Sequence, residues 1–194
     1  MSYKKFTKDI GILGIVQFIN VLSGFVVLPV ITKLLGAGNY GIWIQVLVTS
    51  GLISSIAVLG LPYALVRFLA GEKEKRDIQD GVWSAFTLIL IITISAALIL
   101  TLFSSHISRF FNSDRIFILI MALIIIFDCL NQLFSGVFRM LQEIRKLSIL
   151  NTIAGLGQAG LVITSVLLWH GLLGAVLSIL AAKFIMFLIM GVLV

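Results

Sequence analysis

The chain has 194 residues, 60% of them hydrophobic and only 11% charged, with 14 Lys and Arg against 8 Asp and Glu for a formal net charge of +6. At a mean hydropathy of +1.20, so few charges cannot cover a soluble domain of this size, which excludes a water-soluble enzyme and points to an all-α integral membrane protein. The basic residues would suggest nucleic acid in a soluble chain, but here they fall in short segments between apolar runs and read as topology signals, so no nucleic-acid partner is expected.

A helix rises 1.5 Å per residue and needs about 20 apolar residues to cross about 30 Å of hydrocarbon. Six stretches qualify, in chain order 10–31, 42–66, 82–103, 116–138, 147–169 and 172–194, and they predict a six-helix bundle forming a single membrane domain. The first follows Lys4, Lys5 and Lys8 as a secretory signal would, but at 22 residues and with no small-residue cleavage pattern it reads as a retained helix. Pro29 and Pro62, near the outer end of the first span and the inner end of the second, each remove a helix hydrogen bond and can kink the chain. Between the second and third spans, GEKEKRDIQD (71–80) is mixed in sign and reads as a solvated loop or the start of an interfacial helix. Only His170 and Gly171 divide the last two spans, so these form an antiparallel pair.

Lys and Arg counted by loop set the orientation. One side carries ten (Lys4, Lys5, Lys8; Arg67, Lys73, Lys75, Arg76; Arg139, Arg145, Lys146) and the other three (Lys33, Arg109, Arg115), which predicts a cytoplasmic amino terminus in a multi-pass protein of the cell membrane. The apolar run is still open at Val194, with no closing Lys or Arg, and a longer protein is expected.

Chemistry-bearing motifs are few. Cys129 is single, so it forms neither an internal disulfide nor a cysteine metal cluster. His106 and His170 sit in or beside outer loops and read as interfacial side chains. The sequence has no H-E-x-x-H, no G-x-S-x-G and no G-x-x-x-x-G-K-[ST], which argues against an enzyme and against a cofactor or metal.

What remains is charge inside the spans. Asp128 and Lys183 both fall near the middle of inward-running helices, where each costs about 2.5–3.5 kcal/mol on insertion scales and is a functional candidate by default. They either meet, as a static pair or a working one, or line one cavity. Asp128, Asn131, Gln132, Ser135 and Arg139 recur at i, i+3, i+4, i+7 and i+11, one face of the fourth span. Lipid cannot satisfy such a stripe, so it faces a hydrated cavity or other helices, as hydrogen-bonding glue in the second case. Two weaker faces, Gln17, Asn20 and Gly24 in the first span and Ser148, Asn151, Gly155 and Gln158 in the fifth, read as glue.

Two stretches carry a family resemblance: LPVITKLLGAGNYGIW (28–43) and LGLPYALVRFLAGEKEKRDI (59–78). Pro29, Lys33, Leu35, Gly36, Tyr40, Gly41, Gly60, Leu61, Ala64 and Arg67 follow in the order found in the polysaccharide (O-antigen type) flippases of the multidrug, oligosaccharidyl-lipid and polysaccharide exporter superfamily, with Lys33 where arginine is commoner. The specific match runs from about 28 to 78, and the pattern of spans matches over the whole chain. The resemblance implies the amino-terminal lobe of a two-lobe exporter, partnered by a carboxy-terminal lobe of the same protein or by a second copy, in contact with membrane lipids. It implies alternating access that carries a polyprenyl-diphosphate-linked oligosaccharide from the cytoplasmic to the outer leaflet. In that role Arg67 and Arg139 attract the diphosphate, Lys183, Asn131 and Gln132 line the cavity, and Asp128 titrates or binds a coupling proton or sodium ion. The alternatives are a multidrug exporter of the same superfamily, which acidic cavity residues would favour, and a non-transporting membrane scaffold.

Overall fold

The computed structural model describes residues 3–69, 71, 74–169 and 171–193. Expectations resting on Lys73, His170 and Val194 lie outside the described residues, as do those resting on the side chains of Lys4, Lys5, Lys8, Gln17 and Asn20. The described residues form seven helices and no strand: α1 (Tyr3–Ala57), α2 (Leu61–Leu69), α3 (Lys75–Leu102), α4 (Ser104–Phe110), α5 (Arg115–Met140), α6 (Ile144–Trp169) and α7 (Leu172–Leu193). An all-helical chain is what hydrocarbon demands, because each helix satisfies its backbone internally. Hydroxyls inside the spans do the same: Thr93 donates to the Ile89 carbonyl at 2.7 Å and Ser178 to the Gly174 carbonyl at 2.8 Å.

The first two expected spans are joined without a loop. α1 contains a single non-helical residue, Gly36, at φ 76° and ψ 166°, in a backbone region essentially reserved for glycine. In a straight helix Leu28 and Ile44 would stand about 24 Å apart, yet both line one cavity, so the chain doubles back at Gly36 and α1 is a hairpin of two arms. A Cβ added at Gly36 meets nothing within 4 Å, which leaves backbone strain as the sole penalty. Gly36→Ala is therefore expected to cost about 1–3 kcal/mol and to lower the thermal midpoint of the purified protein. An unchanged midpoint would mean that the turn has another conformation open to it.

The second expected span, 42–66, is not continuous either. α1 stops at Ala57 and α2 starts at Leu61, with Leu59 (φ 49°) and Gly60 (φ 71°) in left-handed conformations between them. Pro62 is the cause: it has no N–H for the Val58 carbonyl and its ring would strike that carbonyl in an unbroken helix. The Leu61 N–H bonds to Val58 instead, at 3.0 Å, which restarts the helix with proline in its tolerated first turn.

The third span begins earlier than expected, at Lys75, so the second half of the charged run is its exposed first turns and Asp77 complements the helix dipole there. What reads as an outer loop after residue 103 holds the short α4. α5 ends in a left-handed Gln142, with the Glu143 N–H returning to the Phe138 carbonyl at 2.9 Å, which permits the tight turn into α6.

α5 is the axis of the bundle. Fifteen of its residues are buried, against four in α3, and it touches α1, α2, α3, α4, α6 and α7. α3 instead shows Leu88, Ile91, Ile94 and Leu98 to the outside, an apolar surface of the kind that meets lipid or another protein surface. Five stretches among the described residues are long and apolar enough to cross a membrane, one of them the 43-residue Val27–Leu69, which holds the end of the first α1 arm, the whole second arm and α2.

Candidate functional site

The polar face of α5 lies at the middle of this bundle and runs toward the end that holds Arg139 and the start of α6. At its inner end Asp128 and Lys183 meet: Lys183 Nζ stands 2.5 Å from Asp128 Oδ1. Gln132, one turn along, donates through Nε2 to the second carboxylate oxygen at 3.1 Å. Both oxygens of Asp128 are thus engaged, one by a cation from α7 and one by an amide from its own helix. Side-chain exposures of 31% for Lys183 and 17% for Asp128 make the pair partly accessible and not sealed in the core.

Asn131 takes a different direction. It is buried, its Nδ2 donates to the Lys183 backbone carbonyl at 2.9 Å, and its Oδ1 has no partner among the described residues. Asn131 is not among the residues that line the cavity at Gln132, Ser135 and Arg139; its amide ties α5 to α7 beside the ion pair. Ser135 bonds back to the Asn131 carbonyl at 2.8 Å.

Beyond Gln132 the face opens into a cavity of about 350 Å³. One wall is α5, with Gln132, Ser135 and Arg139; the other is the helix break, with Ser55, Gly60 and Tyr63. The α2 wall is held by direct backbone contact, since buried Gly136 of α5 packs on Pro62 so closely that a Cβ at 136 would lie 2.7 Å from the Pro62 Cβ. Arg139 is exposed, and among the described residues it has no ion-pair partner. Arg67 does not line this cavity; it is exposed on α2 with its guanidinium 5.7 Å from the Phe68 ring centroid.

Of the two arrangements open for Asp128 and Lys183, the structure has the direct pair. Lys183 does not add free positive charge, because Asp128 neutralises it, and Asp128 offers no vacant cation site in this conformation, because the Lys183 ammonium fills it. The cationic character of the cavity rests on Arg139. The break at 58–60 is the kink that Pro62 allows, while Ser55 and Tyr63 beside it were not singled out in the sequence. Of the weaker polar face on α6, Ser148 bonds to the Ile144 carbonyl of its own helix at 2.8 Å and Asn151 is exposed. No group of three or more His, Cys, Asp or Glu placed to hold a metal occurs among the described residues.

A bundle of apolar helices around a polar seam with one unpaired arginine is the setting in which the comparison with known families becomes decisive. A family model described as polysaccharide biosynthesis protein matches residues 6–194. The chain belongs to this family. The match bears out the resemblance read from residues 28–78 and extends it across both arms of α1 to the end of α7. No curated protein and no solved structure matches the chain. As a member of the polysaccharide biosynthesis family with several membrane-crossing helices, it is a multi-pass membrane protein.

Proposed function

We propose that this protein is a transporter, not an enzyme, and that it carries a polyprenyl-diphosphate-linked oligosaccharide from the cytoplasmic to the outer leaflet of the cell membrane by alternating access. The observation that carries this reading is the cavity between the helix break and the polar face of α5, with unpaired Arg139 at its mouth. An anionic diphosphate needs a cation that no carboxylate already holds, and donors that can be exchanged for water; Arg139, Gln132, Ser135 and Tyr63 are of that kind. The positive-inside count supports a cytoplasmic position for Arg139, where the substrate is loaded, with the amino terminus on the same side. The Asp128–Lys183 pair is the gate of this route: a proton or sodium ion that takes Asp128 releases Lys183 into the cavity. Asn131 positions that pair and does not touch substrate. Arg67 gathers headgroups at the membrane surface, and a second lobe, from the same protein or a second copy, closes the cavity.

The test measures lipid-linked oligosaccharide on the cytoplasmic leaflet in cells lacking the gene and in cells carrying it or its variants. Accumulation on deletion, reversed by the intact gene, is expected. Arg139→Ala removes one charge-assisted contact of about 1.5–3 kcal/mol and should weaken substrate handling roughly 10- to 100-fold, with Arg139→Lys in between because a lysine cannot chelate two phosphate oxygens from one planar fork. Unchanged glycolipid in both leaflets on deletion would remove the flippase reading and bring drug export forward.

A further inference from the structure

The cavity beside α5 has a hydrogen-bonding polarity that its own residues fix. Gln132 Nε2 donates to Asp128 Oδ2 at 3.1 Å. The other oxygen of that carboxylate is held by Lys183, and a carboxylate only accepts. The Gln132 amide therefore keeps its nitrogen on the Asp128 side, since turning it over would set two oxygens face to face. Its carbonyl oxygen Oε1 accepts no hydrogen bond among the described residues and is not sealed from solvent. Gln132 lines the cavity, so Oε1 makes it an acceptor there.

The two serines of the cavity are committed in the same sense. Ser135 Oγ donates to the Asn131 carbonyl at 2.8 Å, and Ser55 Oγ to the Gly51 carbonyl at 2.8 Å. A hydroxyl has one proton to give, so what each serine has left is lone pairs. Both walls thus offer acceptor oxygens, while Arg139 is the sole charged residue of the lining. Gln132 and Arg139 are two turns apart, about 10 Å along the helix axis.

A ligand that satisfies the whole cavity carries anionic oxygens at one end and hydroxyl donors at the other. A bare diphosphate supplies the first and not the second, and its charge would face lone pairs at Gln132, Ser135 and Ser55. An organic cation meets the like charge of Arg139. A sugar joined to a diphosphate supplies both ends, because each free sugar hydroxyl donates one hydrogen bond. In this conformation the diphosphate is then left to Arg139 and Tyr63.

We propose that Gln132, Ser135 and Ser55 form a sugar-hydroxyl site that accepts hydrogen bonds from the sugar next to the diphosphate, and that Asp128 is the positioning residue that turns the Gln132 carbonyl toward it. The inference rests on the transport reading, in which Arg139 holds the diphosphate. It gives the Asp128–Lys183 pair a task besides gating: the pair sets what the cavity selects.

The experiment measures equilibrium binding of two probes to the full chain in phosphatidylcholine nanodiscs: undecaprenyl diphosphate bearing a single glucose, and undecaprenyl diphosphate itself. The sugar-bearing lipid should bind about 10-fold tighter, as two or three neutral hydrogen bonds of modest net value would give. Gln132→Leu should lower that ratio about threefold or more. Ser55→Ala, at an exposed position whose hydroxyl bonds only to its own helix, should lower it in the same direction. Arg139→Ala should weaken both probes and leave the ratio in place. Equal binding of the two probes by the wild-type protein, or a ratio that survives both Gln132→Leu and Ser55→Ala, overturns the hydroxyl site. Failure of Arg139→Ala to weaken either probe counts instead against the transport reading. The double variant Asp128→Asn with Lys183→Met tests the positioning role: asparagine offers Gln132 either a donor or an acceptor, the amide is no longer fixed, and the ratio should fall. A ratio kept at the wild-type value in that variant overturns the role of Asp128.

Discussion

Asp128→Asn alone lowers the stability of the bundle, and Lys183→Met added to it restores most of the loss. In the wild-type protein Asp128 accepts from Lys183 at 2.5 Å and from Gln132 at 3.1 Å. Removing the carboxylate charge leaves an ammonium near mid-span with no counter-charge, a penalty of roughly 2.5–3.5 kcal/mol at the bilayer centre on insertion scales. The partial exposure of Lys183 and its flexible stem, which can reach toward the interface, put the expected loss at the lower end. The double variant removes both charges and fills the site with an apolar chain of similar length, an exchange that is commonly neutral or stabilising for a buried pair. Lys183→Met alone is also expected to lower the midpoint, because it strands the Asp128 carboxylate without its counter-charge. Unfolding midpoints of the three variants in detergent measure this order. Equal losses in the single and double variants would mean that the pair contributes through packing and not through charge.

The same three variants separate a staple from a gate. If the pair only holds α5 to α7, the refolded double variant transports with wild-type dependence on the proton or sodium gradient. If Asp128 exchanges Lys183 for a coupling ion, the double variant folds but its transport no longer responds to either gradient. Asp128→Asn by itself cannot make this distinction, since lost stability and lost coupling both reduce transport.

How far the site was legible in the sequence follows from the geometry of α5. At 100° per residue, Gln132, Ser135 and Arg139 lie within about 40° of Asp128, but Asn131 lies about 60° to one side. Spacing therefore gathered all five on one face, while the fold divides that face between two neighbours. α7 meets the Asn131 side and takes its amide, and α2 meets the side of Gln132, Ser135 and Arg139. Depth could be counted along the chain, which is why the Asp128–Lys183 meeting was foreseeable as one of two options. Rotation about the helix axis could not, because it depends on which neighbour packs where. The form of the two backbone turns was not legible for another reason. Hydropathy averages over about 20 residues, so Gly36 and Leu59–Gly60, each a local dihedral event, do not register in it, and the loop expected between 31 and 42 proved to be one residue inside α1. The family-like residues Gly36 and Gly60 mark both turns; their role became physical only with the φ angles.

Gly136→Ala should damage the transport cavity while Gly191→Ala, two helices away on α7, should not. The two substitutions have the same helix propensity gain, close to 1 kcal/mol, so any difference between them comes from what the added methyl meets. At Gly136 it meets Pro62, with 2.7 Å to the Cβ and 2.8 Å to the Cα. Proline cannot rotate its ring away, and the Cα belongs to the backbone, so α2 as a unit must shift from α5. Overpacking of this kind typically costs 1–3 kcal/mol, which exceeds or cancels the propensity gain. At Gly191 the nearest atoms are two carbons of the Phe134 ring at 3.8 Å, an ordinary contact. Gly136→Ala is thus expected to lower the unfolding midpoint and to reduce transport several-fold, because the displaced α2 carries Tyr63 and the wall at Gly60 away from Gln132, Ser135 and Arg139. Gly191→Ala is expected to match or slightly exceed the wild-type midpoint with transport unchanged. Should Gly136→Ala transport normally at a reduced midpoint, the distance between α2 and α5 would matter for stability only, and the headgroup would have to be held by the α5 side of the cavity alone.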